Sequence, residues 1–351
     1  MNGKLKTLCA AGLACMALLA TGTARAEASG EPQGRAALAV ARPAGAVLLG
    51  VAAADGGRLV AVGERGLVIL SEDSGQHWRQ ARVPVSVTLT AVRFAGKLGV
   101  VVGHGGVVLV SSDAGESWSP VLDGKRAAQL ALADARSVDN PALLQNAQLM
   151  VDEQPNKPLL DVSLGTDGQI LAVGAYGLAL HSADFGKTWQ SWMSRLDNPD
   201  SLHLYAARQR GPVLLLAGER GLVLRSEDAG AHFQRLQLPY AGSLFTAELL
   251  SADELLVAGL RGSLLHSRDG GRSWQRVDNA GNASFTASSL GADGALYLAN
   301  QAGQLLRWRD GGLAPLAQPA LPPLNGVLPL GHESIVVLDN LGVSTLRLAG
   351  Q

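Results

Sequence analysis

The chain has 351 residues, of which 47% are hydrophobic and 17% charged, so one large apolar core is within its reach. Its formal net charge of −1 provides no basic surface for nucleic acid. No run of 18 apolar residues follows the N-terminal region, so the composition excludes a membrane-spanning helix in the rest of the chain.

Residues 1–26 have the pattern of a secretory signal peptide. Lys4 and Lys6 form a basic start, Leu8–Ala20 is apolar but too short to span a bilayer, and Ala24–Ala26 fits a small-x-small cleavage site. We therefore expect cleavage after Ala26, a mature domain of residues 27–351 with a net charge of about −4, and a periplasmic location.

Both cysteines, Cys9 and Cys15, lie inside this signal, so the mature chain is predicted to contain neither a disulfide nor a reactive thiol. An alternative is that Cys15 is the lipidated residue of a lipoprotein. The sequence disfavours it, because Leu13 stands where a small residue is expected.

One pattern recurs after the signal: an apolar strand, a Gly-x-x-Gly turn, a second apolar strand, and a Ser-x-Asp-x-Gly-x-x-Trp box. The first copy runs from Leu59 to Trp78, and the last two copies are weaker. The second turn glycine recurs about every 41 residues, with one longer step of about 71: Gly66, Gly106, Gly177, Gly221, Gly262, Gly303, Gly342. This period, with short strands rich in Val and Leu, predicts an all-β, seven-bladed β-propeller.

Each blade of such a propeller needs four strands. The middle two flank the Gly-x-x-Gly turn, the innermost is the preceding apolar run, such as Thr88–Phe94, and the outermost begins at the box tryptophan. The seventh repeat has no box. We therefore expect Ala36–Ala41 to supply its missing outer strand and close the ring, which would remove an exposed edge.

The Asp-x-Gly boxes are predicted to be structural turns between the third and fourth strands. The aspartate accepts backbone hydrogen bonds, the glycine supplies a positive φ, and the tryptophan packs between blades. Because each aspartate falls in a different blade, we predict neither a metal site nor a cofactor for this set: Asp73, Asp113, Asp184, Asp228, Asp269.

The long step contains an insertion at Gly124–Pro158 that breaks the β pattern. Lys125–Arg136 is rich in helix formers, and Asn140 followed by Pro141 is typical of a second helix start. We predict a helical hairpin between blades two and three, on the face that carries the Gly-x-x-Gly turns. It either covers the blade surface or docks a partner, and both interpretations stay open.

The variable residues of the Gly-x-x-Gly turns point to one face of the ring, and arginine recurs at one position in blades one, four and five. Arg, Tyr and His are suited to a protein interface. The candidate partner-binding residues are Arg65, His104, Tyr176, Arg220 and Arg261. The alternative is that these turns are simply well-solvated hairpins.

The combination of these turns and boxes resembles the Asp-box (BNR) repeat superfamily, and most closely the photosystem II stability/assembly factor branch. The resemblance covers nearly all of the mature chain. It implies a lumenal or periplasmic accessory factor that binds membrane-protein partners. In bacteria without a photosystem, it implies an assembly role beside an envelope complex such as a transporter.

Asp-box propellers also include sialidases and other glycosidases, which need a nucleophile, a paired acid and an arginine cluster. No tyrosine here lies in a recognisable motif with glutamate, and no nucleophile elbow, phosphate loop or zinc spacing is present. The histidines in or just before the boxes are interpreted as surface turn residues: His77, His181, His232, His266.

The sequence therefore predicts a non-catalytic binding or assembly scaffold rather than an enzyme. Its expected partner is a protein, in particular a membrane-protein complex or envelope transporter. The alternative is a carbohydrate- or anion-binding propeller or a cryptic glycosidase. An acid pair about 5–10 Å apart in the central channel, beneath an arginine cluster, would favour that alternative.

Overall fold

The computed structural model describes residues 31–153, 156–278, 281–291, 294–309 and 311–348. The signal peptide expected at residues 1–26 lies outside these residues and stays a prediction. Within them, no helix is long and apolar enough to cross a membrane.

Seven antiparallel sheets make up the described chain, six with four strands and one with three. Successive innermost strands contact each other around the ring, and the first contacts the last, so the sheets are the blades of a seven-bladed propeller. This architecture confirms the predicted fold. The innermost strands line a central channel, and the cores lie between adjacent blades.

The strands of blades one to four, from the channel outward, are β1 (Leu48–Ala53), β2 (Leu59–Gly63), β3 (Val68–Ser71), β4 (Arg79–Gln80); β5 (Leu89–Ala95), β6 (Leu98–Gly103), β7 (Val108–Ser111), β8 (Ser119–Leu122); β9 (Leu159–Leu164), β10 (Ile170–Gly174), β11 (Ala179–Ser182), β12 (Gln190–Ser191); β13 (Leu204–Arg210), β14 (Val213–Gly218), β15 (Val223–Ser226), β16 (Gln234–Arg235). Those of blades five to seven are β17 (Leu244–Leu249), β18 (Leu255–Gly259), β19 (Leu264–Ser267), β20 (Gln275–Arg276); β21 (Phe285–Leu290), β22 (Leu296–Asn300), β23 (Leu305–Arg309), β24 (Gly312–Pro315); β25 (Leu324–Leu330), β26 (Ser334–Asp339), β27 (Gly342–Arg347).

The second strand of each blade is an unbroken apolar run in the sequence, and its burial explains why. Every residue of β2, β10, β14 and β18 is buried, because adjacent blades cover both faces of the sheet. Burying each Val or Leu side chain stabilises the fold by about 1.5–3 kcal/mol. The stacking of blades, rather than any single blade, therefore provides the core.

The Asp boxes form compact turns against the preceding blade. In the first box, Oδ1 of Asp73 accepts hydrogen bonds from the backbone N–H groups of Gln76 and His77 at 3.0 and 2.9 Å. Gly75 has a φ of 85°, and the indole of Trp78 donates to its carbonyl at 3.1 Å. Trp78 packs in the core shared by blades seven and one. The aspartates at the other four boxes accept the same kind of hydrogen bonds within their own turns.

The predicted closure of the ring by Ala36–Ala41 is wrong. This segment forms no strand and runs beside the outer part of blade one, where the N–H of Ala37 donates to the carbonyl of Val83 at 3.0 Å. The side-chain amide of Gln80 fixes it further, accepting from the N–H of Val40 and donating to the carbonyl of Leu38, each at 2.9 Å. These polar groups belong to blade one, so they hold the segment there instead of at blade seven.

The helical insertion between blades two and three is confirmed. It consists of α1 (Gly124–Arg136) and α2 (Pro141–Asp152), whose caps are the side chains of Asp123 and Asn140. One face of α1 is buried with Leu178 and Met193 of blade three. The carboxylate of Asp134 completes the attachment, because it accepts hydrogen bonds from the hydroxyls of Ser191 and Ser194 at 2.8 and 2.6 Å.

Candidate partner-binding face

The Gly-x-x-Gly turns place long side chains where the backbone is left-handed. Arg65, Tyr176, Arg220 and Arg261 have φ values of 56°, 58°, 50° and 55° at the same turn position, where blade two has Gly105. A left-handed conformation costs a residue other than glycine about 1–2 kcal/mol. At these four positions glycine would adopt the left-handed backbone conformation with less strain, yet the chain has a residue with a long side chain.

The flanking glycines are required for a different reason. A Cβ atom at Gly63 would lie 2.1 Å from the carbonyl oxygen of Val47, and one at Gly66 would lie 2.0 Å from that of Val85. The turn thus packs closely against the connections to the innermost strands, while the side chain of Arg65 between the two glycines is exposed.

The three turn arginines, Arg65, Arg220 and Arg261, are exposed. Within the described part of the chain, none of their guanidinium groups donates a hydrogen bond to another residue. Blades four and five are neighbours in the ring, so Arg220 and Arg261 occupy adjacent turns, and Arg65 lies on blade one. The structure thus places two of the candidate arginines on neighbouring blades and the third in another sector of the ring.

His104 is exposed on this face, but it occupies the turn position before the one that carries the arginines. Its backbone N–H donates to the carbonyl of Thr88 at 2.8 Å. The following Gly105 is the left-handed residue of this turn. A Cβ atom added at Gly105 would lie 2.7 Å from the side-chain amide of Gln33 in the N-terminal segment. His104 is therefore not equivalent to the other four candidates.

Tyr176 ties the helical hairpin to the face. The side-chain amide of Asn146, on α2, donates to its carbonyl at 3.2 Å, and the ammonium of Lys157 lies 4.6 Å from the centre of its ring. Tyr176 nevertheless stays 42% exposed. The hairpin thus supports an exposed tyrosine at the edge of the arginine-bearing turns.

His203 connects this tyrosine to blade four. Its Nδ1 accepts a hydrogen bond from the N–H of Tyr176 at 3.1 Å, and the two rings are 5.0 Å apart. The N–H of His203 donates to the carboxylate of Glu219 at 2.9 Å, and Glu219 precedes Arg220. A continuous contact path therefore runs from α2 through blade three to the arginine of blade four.

The aromatic path continues to the mouth of the central channel. The ring of Tyr205 lies 6.3 Å from that of His203 and 5.3 Å from that of Phe245. Burial, together with the negative charge of Glu219, raises the pKa of Tyr205. A phenol with a raised pKa gives up its proton less readily, so this environment does not activate Tyr205 as a nucleophile.

The channel, of about 590 Å³, contains a chain of alternating charges from blades two to five. The carboxylate of Asp161 lies 2.8 Å from the guanidinium of Arg93 and 2.5 Å from that of Arg208. Arg208 also reaches Glu248, at 3.3 Å, and Glu248 accepts a hydrogen bond from the hydroxyl of Ser288 at 2.6 Å. Two positive and two negative groups therefore compensate one another.

Asp161 and Glu248 are the pair of channel acids on which the glycosidase alternative depends, and Arg208 lies between them. Burial opposes ionisation of Asp161, but the charges of Arg93 and Arg208 outweigh it, so its pKa lies below the ordinary value. A glycosidase acid needs a raised pKa in order to carry a proton at neutral pH. Asp161 is thus held as a carboxylate, which is unsuited to that role.

The interpretation of His181 and His266 as surface turn residues is wrong. Both are buried, with exposures of 6% and 3%. His181 stacks on Trp192 with ring centres 3.9 Å apart, and Nε2 of His266 lies 2.8 Å from the carboxylate of Glu254. They are the penultimate residues of β11 and β19. His181 also contacts Gln169 and Gln190 of its own blade, whereas the ring of His266 lies 4.8 Å from that of Trp308 in blade six.

Sequence reasoning missed several residues of this face, namely Asn146, Lys157, His203, Glu219 and the channel charges. The repeat did contain a signal for the channel charges. Asp161 pairs with the middle strand at the register position that holds Gly50, Ala91, Ala206, Thr246, Ala287 and Gly326 in the other blades. A carboxylate at a position of small residues needs partners, and the arginines of neighbouring innermost strands supply them.

Comparisons with known proteins agree with this architecture. Residues 36–130 match the family model described as photosynthesis system II assembly factor YCF48. A solved structure of YCF48 bound to D1 peptide shares 17% identity, with a TM-score of 0.63 over 90% of this chain and 99% of that one. YCF48 from Cyanidioschyzon merolae shares 16%, with a TM-score of 0.63 over 87% and 96%. No curated protein matches the sequence significantly.

An enzyme also has a similar fold, at a greater distance. The GH74 enzyme of Niastella koreensis is 15% identical, with a TM-score of 0.56 over 86% of this chain and 43% of that one. The propeller architecture by itself therefore does not separate a binding protein from a glycosidase.

Seven blades, of which the first five have both a Gly-x-x-Gly turn and an Asp box, define a BNR-type β-propeller. Within this class, the family model and the solved structures make the chain similar to the photosystem II assembly factor YCF48.

Proposed function

We propose that the chain is an exported scaffold that engages a protein partner, a membrane complex of the cell envelope, through the face that carries the Gly-x-x-Gly turns. The observation that carries the proposal is the left-handed backbone of Arg65, Tyr176, Arg220 and Arg261. Strain retained at exposed positions, where glycine is the unstrained choice, supports a function for the side chains rather than for the turns.

The chemistry of these side chains supports a protein partner. Arginine and tyrosine are enriched among the residues that dominate interface energies. The guanidinium groups have no internal partners in the described chain, so they are available to carboxylates or backbone carbonyls of another protein. That a solved YCF48 structure contains a D1 peptide adds support for peptide recognition in related propellers.

The test is affinity capture from envelope extracts with the tagged mature protein, followed by mass spectrometry. We expect the wild type to retain a membrane complex and the triple variant Arg65→Ala, Arg220→Ala, Arg261→Ala to lose it. Alanine keeps a Cβ at these left-handed positions, so the thermal midpoint should be nearly unchanged.

A matched control removes the same charge elsewhere. Lys187, Arg268 and Arg272 are exposed in the Asp-box turns, at the opposite end of the third strand from the Gly-x-x-Gly turns. Their triple alanine variant should capture the complex as the wild type does. If both triple variants lose the complex equally, net charge and not this face is responsible, and the proposal fails.

The second candidate function is carbohydrate or anion binding in the central channel. It is favoured by the channel volume of about 590 Å³ with Tyr205, Arg93 and Arg208 among its lining residues. A glycan array and a panel of aryl glycosides test it directly. Saturable glycan binding that is lost on Tyr205→Phe, or hydrolysis lost on Glu248→Gln, would replace the scaffold proposal.

A further inference from the structure

In the part of the chain that the structure describes, blade seven has an unpaired outer edge. Its third strand, β27, pairs with β26, and among the described residues no fourth strand pairs with its other side. The six other blades each have a fourth strand. An open strand edge presents unpaired N–H and C=O groups that can bind another extended chain.

The register identifies which backbone groups of β27 face outward. The N–H of Leu348 donates to the carbonyl of Glu333 at 2.8 Å, so the groups of alternate residues, Leu346 and Ser344, also point to β26. Those of Val343 and Thr345 point the other way. In blade one, the corresponding residues are Val68 and Leu70, and the carbonyl of Val68 accepts from Ala81 at 2.9 Å beside the fourth strand.

The neighbouring blades turn this edge into a slot. Blade one ends in β4 and blade six in β24, so both extend one strand beyond β27. The recess is therefore about 4.8 Å deep, the width of a single strand. Its walls are partly apolar, with Trp78 and Val343 on the side of blade one, and Leu316 and Leu346 on the side of blade six.

The slot fits a single extended chain better than another copy of this protein. For two copies to pair through β27, the outer strands β4 and β24 of both rings would have to pass each other. The six-residue edge alone would also bury much less than the roughly 1,200 Å² of a stable protein interface. Residues 37–40, which could have filled the slot in cis, are held against blade one, whereas Pro43–Gly45 lies against the Gly342 end of β27, as Val85 lies against Gly66 in blade one.

We propose that the open edge of blade seven binds an extended segment of a protein partner by β-strand addition. The segment pairs antiparallel with Val343 and Thr345 through its backbone, and its side chains alternate between the walls of blades one and six. Apolar residues at these alternate positions match the partly buried leucines and tryptophan of the walls. This site lies at the rim of the ring and is separate from the turn arginines.

A peptide copied from the chain itself provides the probe, because outer-strand segments fill this place in the other blades. A fluorescein-labelled Ser71–Val83 peptide is titrated into the mature protein and followed by anisotropy. We expect saturable binding, and protection of the Val343 and Thr345 amides from hydrogen exchange in the complex. A scrambled peptide of the same composition should not bind.

Thr345→Pro removes the outward N–H without touching the bonds to β26, and proline is tolerated at such edge positions. Thr345→Val is the matched control, since it keeps the N–H and loses only the hydroxyl, which donates to Ser74 at 3.2 Å. We expect the proline variant to bind the peptide at least about tenfold more weakly than the valine variant.

Three results would overturn the proposal. The peptide could bind both variants equally, it could fail to bind the wild type, or the Val343 and Thr345 amides could already be protected in the isolated protein. The last result would mean that the chain itself or a second copy fills the slot, and the exchange measurement on the wild type does not depend on how the variants fold. Loss of peptide binding with intact capture by the turn arginines would separate this site from the proposed partner face.

Discussion

Replacing Asp161 with alanine removes the centre of the channel charge chain without a steric clash. Alanine already occupies this register position in blades two, four and six. The substitution deprives Arg93 and Arg208 of their shared carboxylate, and the N–H of Ala207 of the acceptor 3.1 Å away. The change therefore tests whether these contacts join blades two, three and four.

The expected loss is about 3 kcal/mol. Removing one partner of a buried ion pair costs about 3–5 kcal/mol, and an unsatisfied buried N–H costs about 1–3 kcal/mol. Two observations make the expected loss of stability smaller than the sum of these two costs. The side chain of Arg93 is 32% exposed and can be rehydrated, and Arg208 retains Glu248. For a chain of this size, 1 kcal/mol shifts the melting temperature by about 2 °C, so the Asp161→Ala variant should melt about 6 °C lower.

Differential scanning calorimetry at pH 7 measures this shift. The control is Glu116→Ala, which removes an ion pair with Arg79 at 2.6 Å, but whose side chain is 48% exposed. Surface pairs contribute about 0–1 kcal/mol, so the control should lower the melting temperature by about 2 °C at most. Equal shifts in the two variants would refute the view that the channel charges hold the blades together.

Three further predictions concern titration and processing. Burial, with the nearby charge of Arg195, lowers the pKa of His181 to about 4. The neutral ring is thus favoured in the folded state, and stability should fall as the pH drops from about 6.5 to about 4. Thermal midpoints of His181→Gln should lose that dependence, and an unchanged profile would contradict the buried neutral ring. Hydrogen bonds from Thr188 lower the pKa of Asp184 to about 2, so its stabilisation is present above about pH 4 and disappears as the pH falls through about 2. Asp184→Asn should therefore melt lower than the wild type at pH 7, with a gap that narrows as the pH falls from about 4 to about 2, and a constant gap in calorimetry would contradict the assignment. Mass spectrometry of the protein from a periplasmic fraction should find an N-terminus at Glu27, whereas an intact Met1 in the cytoplasmic fraction would exclude export.

The repeat pattern was sufficient to predict the blades because its signals are local. Turn glycines, box aspartates and apolar runs all act within about 20 residues of one another, and each blade repeats them. The helical insertion could also be predicted, since its caps Asp123 and Asn140 and its apolar spacing are local features.

Long-range contacts could not be predicted from local patterns in the same way. Ala36–Ala41 is apolar enough for a strand, but its place depends on Gln80 and Val83 of a different element. His181 and His266 precede box serines, and their burial against Trp192 and Trp308 depends on contacts that form only in the folded chain.

The candidate face was predicted in part. The turn position of the arginines follows from the repeat, whereas the attachment of Tyr176 to α2 and His203 depends on how the insertion folds back onto blade three. No local pattern specifies that packing.

The most direct test of the account is site-specific photocrosslinking in cells. Benzoylphenylalanine replaces Tyr176 on the Gly-x-x-Gly face or Gln275 on the outer strand of blade five, both of which are exposed. We expect a crosslink to an envelope membrane protein from position 176 and none from position 275. Crosslinks from position 275 alone, or from neither position, would contradict partner binding through this face.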